Sequence, residues 1–88
     1  MPRIAEFRGI KIQMFVRDHL PPHFHVVYGE FQAQVGIEPC IVLRNKLPPR
    51  VLALVQDWVR AHRAELFENW SLCERNLPPR PITTSTKR

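Results

Sequence analysis

Phe24-His25-Val26-Val27-Tyr28-Gly29-Glu30-Phe31-Gln32-Ala33-Gln34-Val35-Gly36-Ile37 is the stretch on which the architecture turns. Phe24 to Tyr28 is rich in aromatic and β-branched residues, which suit a pleated, half-buried surface. After Gly29-Glu30, Phe31, Ala33, Val35 and Ile37 alternate with Gln32, Gln34 and Gly36. Two extended runs separated by two residues, one of them glycine, predict a tight antiparallel hairpin. Upstream, within Phe7 to Phe15, Ile10, Ile12 and Met14 alternate with Lys11, Gln13 and Phe15, which predicts the first strand. Downstream, Ile41 to Leu43 is a short fourth candidate entered through Glu38-Pro39-Cys40, and the proline favours an edge position.

From Pro49 the period changes. Val51, Leu52, Val55, Trp58, Val59, His62, Leu66, Trp70 and Cys73 recur at intervals of three and four, with Gln56, Asp57, Arg60, Ala64, Glu68, Ser71 and Arg75 on the other side. This is an amphipathic helix, and Pro48 or Pro49 suits its first turn, where a missing N–H leaves nothing unpaired. Unbroken through Asn76 it would be about 40 Å long, longer than the sheet beneath it, so its second half should bend or project towards another chain. The expected product is an α+β domain over residues 1–76, with a small antiparallel sheet of three or four strands packed by one long C-terminal helix. Residues 77–88, Pro-rich and basic, read as a tail that is mobile or ordered by a partner. Leu-Pro-Pro occurs at 20–22, 47–49 and 77–79, but the flanks differ and the doublets read as punctuation rather than a repeat.

A chain of 88 residues supports one thin core and leaves room for stabilisation by a partner. Its net charge of +5 is uneven. Residues 77–88 contribute +3 without an acid, residues 1–50 come to +3 with seven basic and four acidic side chains, and residues 51–76 to −1. An electrostatic footprint on an acidic partner therefore belongs to the first half. Cys40 and Cys73 follow no Cys-x-x-Cys spacing, and neither a secretory leader nor a membrane-spanning run is visible, so reduced thiols and a cytoplasmic location are expected.

Chemistry concentrates in Arg17-Asp18-His19-Leu20-Pro21-Pro22-His23-Phe24-His25, which holds three of the four histidines. On an extended segment His23 and His25 share one face while Phe24 and Val26 take the other. Three readings are open. A metal could take His23 and His25 with His19 or Asp18 as third ligand. Metal-independent phosphodiester cleavage could use one imidazole as base and one as acid, with Arg17 or a nearby lysine neutralising phosphate. The rings could also be structural, bonded to loop carbonyls. Arg44, Lys46 and Arg50 gather around the second proline doublet, as a phosphate contact or a solvated turn. His62 lies on the apolar stripe with Trp58, Leu66 and Trp70; it is a hydrogen-bonded core histidine, or completes the histidine cluster if the helix covers that sheet face. Trp58, Phe67 and Trp70 read as core or interface anchors, and Glu65, Glu68 and Asn69 as a solvated helix face.

Four blocks carry a resemblance: Gly9-Ile10, then Asp-His-x-Pro-Pro-His-Phe-His-x-x-Tyr at Asp18 to Tyr28, Leu47-Pro48, and His-Arg-x-Glu-Leu-x-Glu-Asn-Trp at His62 to Trp70. Through them residues 4–70 resemble the small bacterial domain-of-unknown-function family numbered 4160. The resemblance implies a short protein encoded beside a second small protein, the two forming a type II toxin-antitoxin pair. Leu20 departs from the polar residue common in the family, and Glu38-Pro39-Cys40 from its acidic, Gly-containing turn. The leading expectation is a toxin-type component acting on RNA or the translation apparatus, with Asp18, His19, His23 and His25 as active or target-binding residues. It would be a metal-independent ribonuclease if it cleaves at all. Arg17, Arg44, Lys46 and Arg50 would contact phosphate, and His62 and Trp70 would lie in a helix-borne site or interface. No cofactor is required on this reading, although His23 and His25 suit a divalent transition metal. Expected partners are the neighbouring-gene protein as antitoxin, RNA, and further copies in a homo- or hetero-oligomer, with no membrane. The alternatives are a non-catalytic binding or regulatory module that acts through the complex with its neighbour, and a His-rich metal-binding domain.

Overall fold

Arg8 and Gly9 both adopt left-handed backbone, at φ 51° and 77°, and this two-residue turn begins the fold. The computed structural model describes residues 3–82. The turn joins β1 (Arg3–Phe7) to β2 (Ile10–Gln13); β3 (His23–Tyr28), β4 (Phe31–Gly36), β5 (Val42–Asn45) and α1 (Pro49–Glu74) follow. The five strands pair antiparallel in chain order, β1-β2-β3-β4-β5. The expected three or four strands are thus corrected to five. The added strand is β1, where a register shift between Arg3 and Ala5 puts the adjacent Ile4 and Ala5 both in the core. That bulge erases the period-2 signal. The central hairpin closes as the sequence predicts, with Tyr28 opposite Phe31 across Gly29-Glu30.

The return into β5 is tight. Gly36 donates its N–H to the Ile41 carbonyl at 2.9 Å, and a Cβ on Gly36 would lie 2.6 Å from the Pro39 carbonyl oxygen, so no larger residue fits there. β5 is an edge strand that begins one residue later than predicted and runs two residues further, with a register shift between Gln34 and Val35 on its partner.

Pleating sends Ile10, Ile12, Phe24, Val26, Ala33 and Val35 into one core with Val51, Val55, Val59 and Leu66 of the helix. Trp58 bridges the two layers, its ring centroid 5.4 Å from Phe7 and 6.3 Å from Phe24. A straight 26-residue helix would be about 39 Å long at ~1.5 Å per residue, beyond the 33 Å longest extent of the fold. The helix breaks at His62, whose φ of −129° and ψ of 21° are not helical. It ends in a Schellman motif: Asn76 is left-handed at φ 62°, its N–H donates to the Cys73 carbonyl, and the Leu77 N–H donates to the Leu72 carbonyl.

Residues 77–82, the first part of the segment expected to be a tail, run back along the domain. Ile82 is 5 % exposed and donates its N–H to the Ile4 carbonyl at 2.7 Å. Asn69, expected on a solvated face, is corrected to a buried position: its Nδ2 donates to the Arg80 carbonyl at 2.9 Å and its Oδ1 accepts from the Arg80 N–H at 2.8 Å. The Thr83-Thr84-Ser85-Thr86 run lies outside the described residues. No helix among them is long and apolar enough to cross a membrane.

Asn69→Ala removes both partners of the Arg80 backbone. We expect a loss of about 1–3 kcal/mol in urea unfolding and new protease cleavage within 77–82. Unchanged stability and an unchanged digest would show that this pairing does not hold the segment.

Candidate functional site

The loop between β2 and β3 is held at both ends. Arg17, left-handed at φ 60°, donates its N–H to the Cys73 carbonyl at 3.1 Å, in the last turn of α1. At the other end the Ile37 N–H, just past β4, donates to the Pro22 carbonyl at 3.2 Å. Leu20–Pro21 between them is a cis peptide. This path carries Asp18 back over the first residues of β3.

There a single carboxylate oxygen meets two imidazoles. Asp18 Oδ2 lies 3.1 Å from His23 Nε2 and 2.9 Å from His25 Nε2, while Oδ1 accepts the His19 N–H at 3.0 Å. His23 Nδ1 stands 2.8 Å from the Pro21 carbonyl oxygen. A carbonyl oxygen only accepts, so Nδ1 carries a proton and Nε2 is the nitrogen turned to the carboxylate. Either Nε2 is also protonated, making an imidazolium–carboxylate pair, or its lone pair faces an anion and the arrangement requires a cation at the convergence. One candidate ligand atom from each of Asp18, His23 and His25 lies within 4.8 Å of the others, so these three residues could hold a metal ion.

Burial grades the three histidines. His23 is 2 % exposed, walled by Trp70 at 5.4 Å between ring centroids; His25 is 24 % exposed, with the Phe15 ring edge-on at 4.7 Å. His19 is 79 % exposed, its Nδ1 3.2 Å from Asp18 Oδ1. Burial by itself would raise the Asp18 pKa. The hydrogen bond from His25, the His19 backbone N–H and the charges of His23 and His25 together outweigh it and hold the carboxyl below its ordinary value. The buried Cys73 thiol is pushed the other way, by burial and then by the Asp18 charge, and so stays a protonated bystander.

Asp18, His19, His23 and His25 therefore come together as the sequence suggests. Arg17 is exposed beside Asp18 in sequence. Arg44 reaches the same neighbourhood, lining a hollow with His19, Leu20, Pro21, His23, Gln34 and Leu43. Lys46 lines a different hollow with Glu30, Phe31, Gln32 and Asn45, and Arg50 is exposed in the first turn of α1. His62 does not complete the cluster: its Nδ1 is 2.6 Å from Glu65 Oε1 and its ring packs 5.2 Å from Trp58. Trp70 does join the site, as the wall behind His23. Sequence reasoning missed Phe15, Gln34 and Leu43, which stand around the histidines; for Gln34 the signal was present, since it pairs with His25 once the hairpin register is counted.

Residues 9–71 match the model of a family described as a domain of unknown function (DUF4160). No curated protein and no solved structure matches the chain.

The depressed Asp18 pKa sets a sign. Its contribution to stability is complete above the unfolded carboxyl value of about 3.9 and disappears as pH falls through the lower folded value. In EDTA-treated protein, the gap in urea-unfolding free energy between wild type and Asp18→Asn should be widest at pH 5–7 and close towards pH 2. A gap that persists at low pH would remove the carboxylate as its source.

Proposed function

Because the chain belongs to the DUF4160 family, whose description names no activity, we propose from its own geometry that Asp18, His23 and His25 bind one divalent transition metal, and that this centre is the working site of a toxin-type component acting on RNA or the translation apparatus. The observation that carries the metal is the His23 Nδ1–H donating to the Pro21 carbonyl. Metal-ligating histidines almost always give their other ring N–H to a carbonyl or carboxylate, which fixes the tautomer and presents the free nitrogen to the ion. Two imidazoles and one carboxylate suit zinc or another first-row divalent ion, and three protein ligands leave coordination positions open, as catalytic rather than structural sites do. Such an ion, when bound, supplies an activated water or polarises a phosphoryl oxygen.

The chain's own groups fit around that chemistry. His23, sealed by Trp70, is a rigid holder rather than a proton carrier. His25 is half-open towards the sheet face, and His19, turned to solvent and next to Asp18 Oδ1, can take or give a proton at a substrate. Arg44 stands where phosphate charge would need neutralising. The resemblance-based role, a toxin restrained by a small neighbouring-gene protein, supports an RNA target.

One observation favours a second reading, metal-independent acid–base cleavage. The exposed His19 imidazole already stands 3.2 Å from an ionised carboxylate, an arrangement that serves a general base without any ion.

Untagged protein titrated with Co²⁺ or Zn²⁺ should bind one equivalent, and His25→Ala should weaken binding by more than the ~10- to 100-fold that loss of an outer hydrogen bond costs. Failure to bind either ion leaves only the acid–base reading. Induced expression without the neighbouring gene should slow growth, with relief by His25→Ala on the metal reading and by His19→Ala on the acid–base one. Normal growth of the wild-type strain would end the toxin assignment.

A further inference from the structure

The pleat that sends Phe24 and Val26 into the core turns the intervening residues of every strand to the opposite face, and the registers fix how they line up. Gln13 is opposite His25, His25 opposite Gln34, and Gln34 opposite Arg44. One row, Gln13–His25–Gln34–Arg44, therefore crosses four strands through a member of the Asp18 cluster. A second row, Glu6–Lys11–Val27–Gln32, runs beside it. The helix packs on the other face; among the described residues, the loop carrying Asp18 and the Trp70 ring close this face at its His23 end, and Gln32 and Arg44 are exposed.

Two hollows flank the first row and share Gln34. One, of ≈ 200 Å³, is lined by Gln13, Phe15, His25, Gln32, Gln34 and Asn45 among others; the other, of ≈ 280 Å³, by His19, Leu20, His23, Gln34, Leu43 and Arg44 among others. Each falls short of the ~300–1,000 Å³ of small-molecule sites. Adjoining at Gln34, the partner of His25, they describe a track for something longer than a metabolite.

We infer that this face is a track for a single-stranded polynucleotide, which crosses the sheet along the Gln13–His25–Gln34–Arg44 row and passes the Asp18 centre midway. The inference rests on the proposed action of that centre on RNA. A carboxamide offers both donors and an acceptor, which matches the edges of unpaired bases, and Gln13, Gln32 and Gln34 provide three of them. Phe15, part-exposed beside His25, offers a ring for stacking. Lys11 and Arg44 are exposed cations at two sides of the face; the row through His25 contains no acid, while in the row beside it Glu6 of β1 stands opposite Lys11. Four strands at ~4.8 Å spacing span roughly 14 Å, the length of about four stacked nucleotides at ~3.4 Å each. A peptide would instead add along the edge of β5 by main-chain pairing and would make little use of amides arrayed across strands.

The test uses the full chain in EDTA, with fluorescein-labelled 12-nucleotide RNA and DNA of mixed sequence, read by anisotropy at 50 and 200 mM salt. Saturable binding is expected, weakened by the higher salt and at least fivefold by Arg44→Ala and by Gln34→Ala. Arg44 is exposed and Gln34 part-exposed, and both variants should melt and bind Co²⁺ as wild type does. If Gln34→Ala melts early, Gln13→Ala replaces it. Tighter binding of RNA than DNA assigns the 2′-hydroxyl a part; equal binding rests on the phosphates and bases common to both, and either supports the track. Absence of binding, or binding that no substitution weakens, overturns it. So does a strand that stays free while the neighbouring-gene protein binds and loses affinity with Arg44→Ala, which would give the face to a protein. Loss of metal binding beside intact strand binding counts against the metal reading alone.

Discussion

Two imidazole nitrogens converging on one oxygen of Asp18 is the constraint around which the rest of the corner is arranged. A carboxylate so placed cannot be left without positive charge or proton donors, because it is 14 % exposed and its surroundings return little of the lost hydration. The protein supplies that compensation through His25, His23 and the His19 backbone. The cost of such an arrangement falls on rigidity, and Pro21, Pro22, the left-handed Arg17 and the Trp70 wall all restrict how far the loop or rings can relax. A cluster kept in place this way is better suited to holding an ion or a reacting group than to filling space.

Much of this was legible in the sequence because the signals were local. The hairpin at Gly29-Glu30, the helix from Pro49 and the shared face of His23 and His25 all follow from period and punctuation over a few residues, while the helix's length left a bend or a projection open and the break at His62 decides it. What escaped was non-local or broke the period. β1 is hidden because Ile4 and Ala5 are buried side by side across a bulge. Asn69 looks like an exposed polar residue, and only the return of Arg80, 11 positions later, gives it partners. His62 sits on the apolar stripe yet spends its hydrogen bond on Glu65 and never approaches the other histidines. The membership of Asp18 in the cluster could be suspected from proximity in sequence, but its shared oxygen depends on how the loop folds back over β3.

The two faces of the sheet divide the labour. One is apolar and closed by the helix, the other carries glutamines, cations and the half-exposed His25. Because side chains alternate, the strand that buries Phe24 and Val26 necessarily holds His25 on the far side, so the same residues that anchor the core set the height and angle of the chemical group. Small domains have few rigid places to mount a site. This one uses the best-paired strand it has, flanked on both sides.

The bond from Arg17 to the Cys73 carbonyl has a consequence for how the molecule assembles. Every pairing in the meander joins strands that follow one another, so the sheet has low contact order and its hairpins can zip locally. The Arg17–Cys73 link spans 56 positions, and closing so long a loop exacts an entropy that no neighbouring turn repays in advance. The contacts of Asp18 with His23 and His25 are as local as a hairpin, so the corner's dependence on the far end of the helix rests on this single long-range tie.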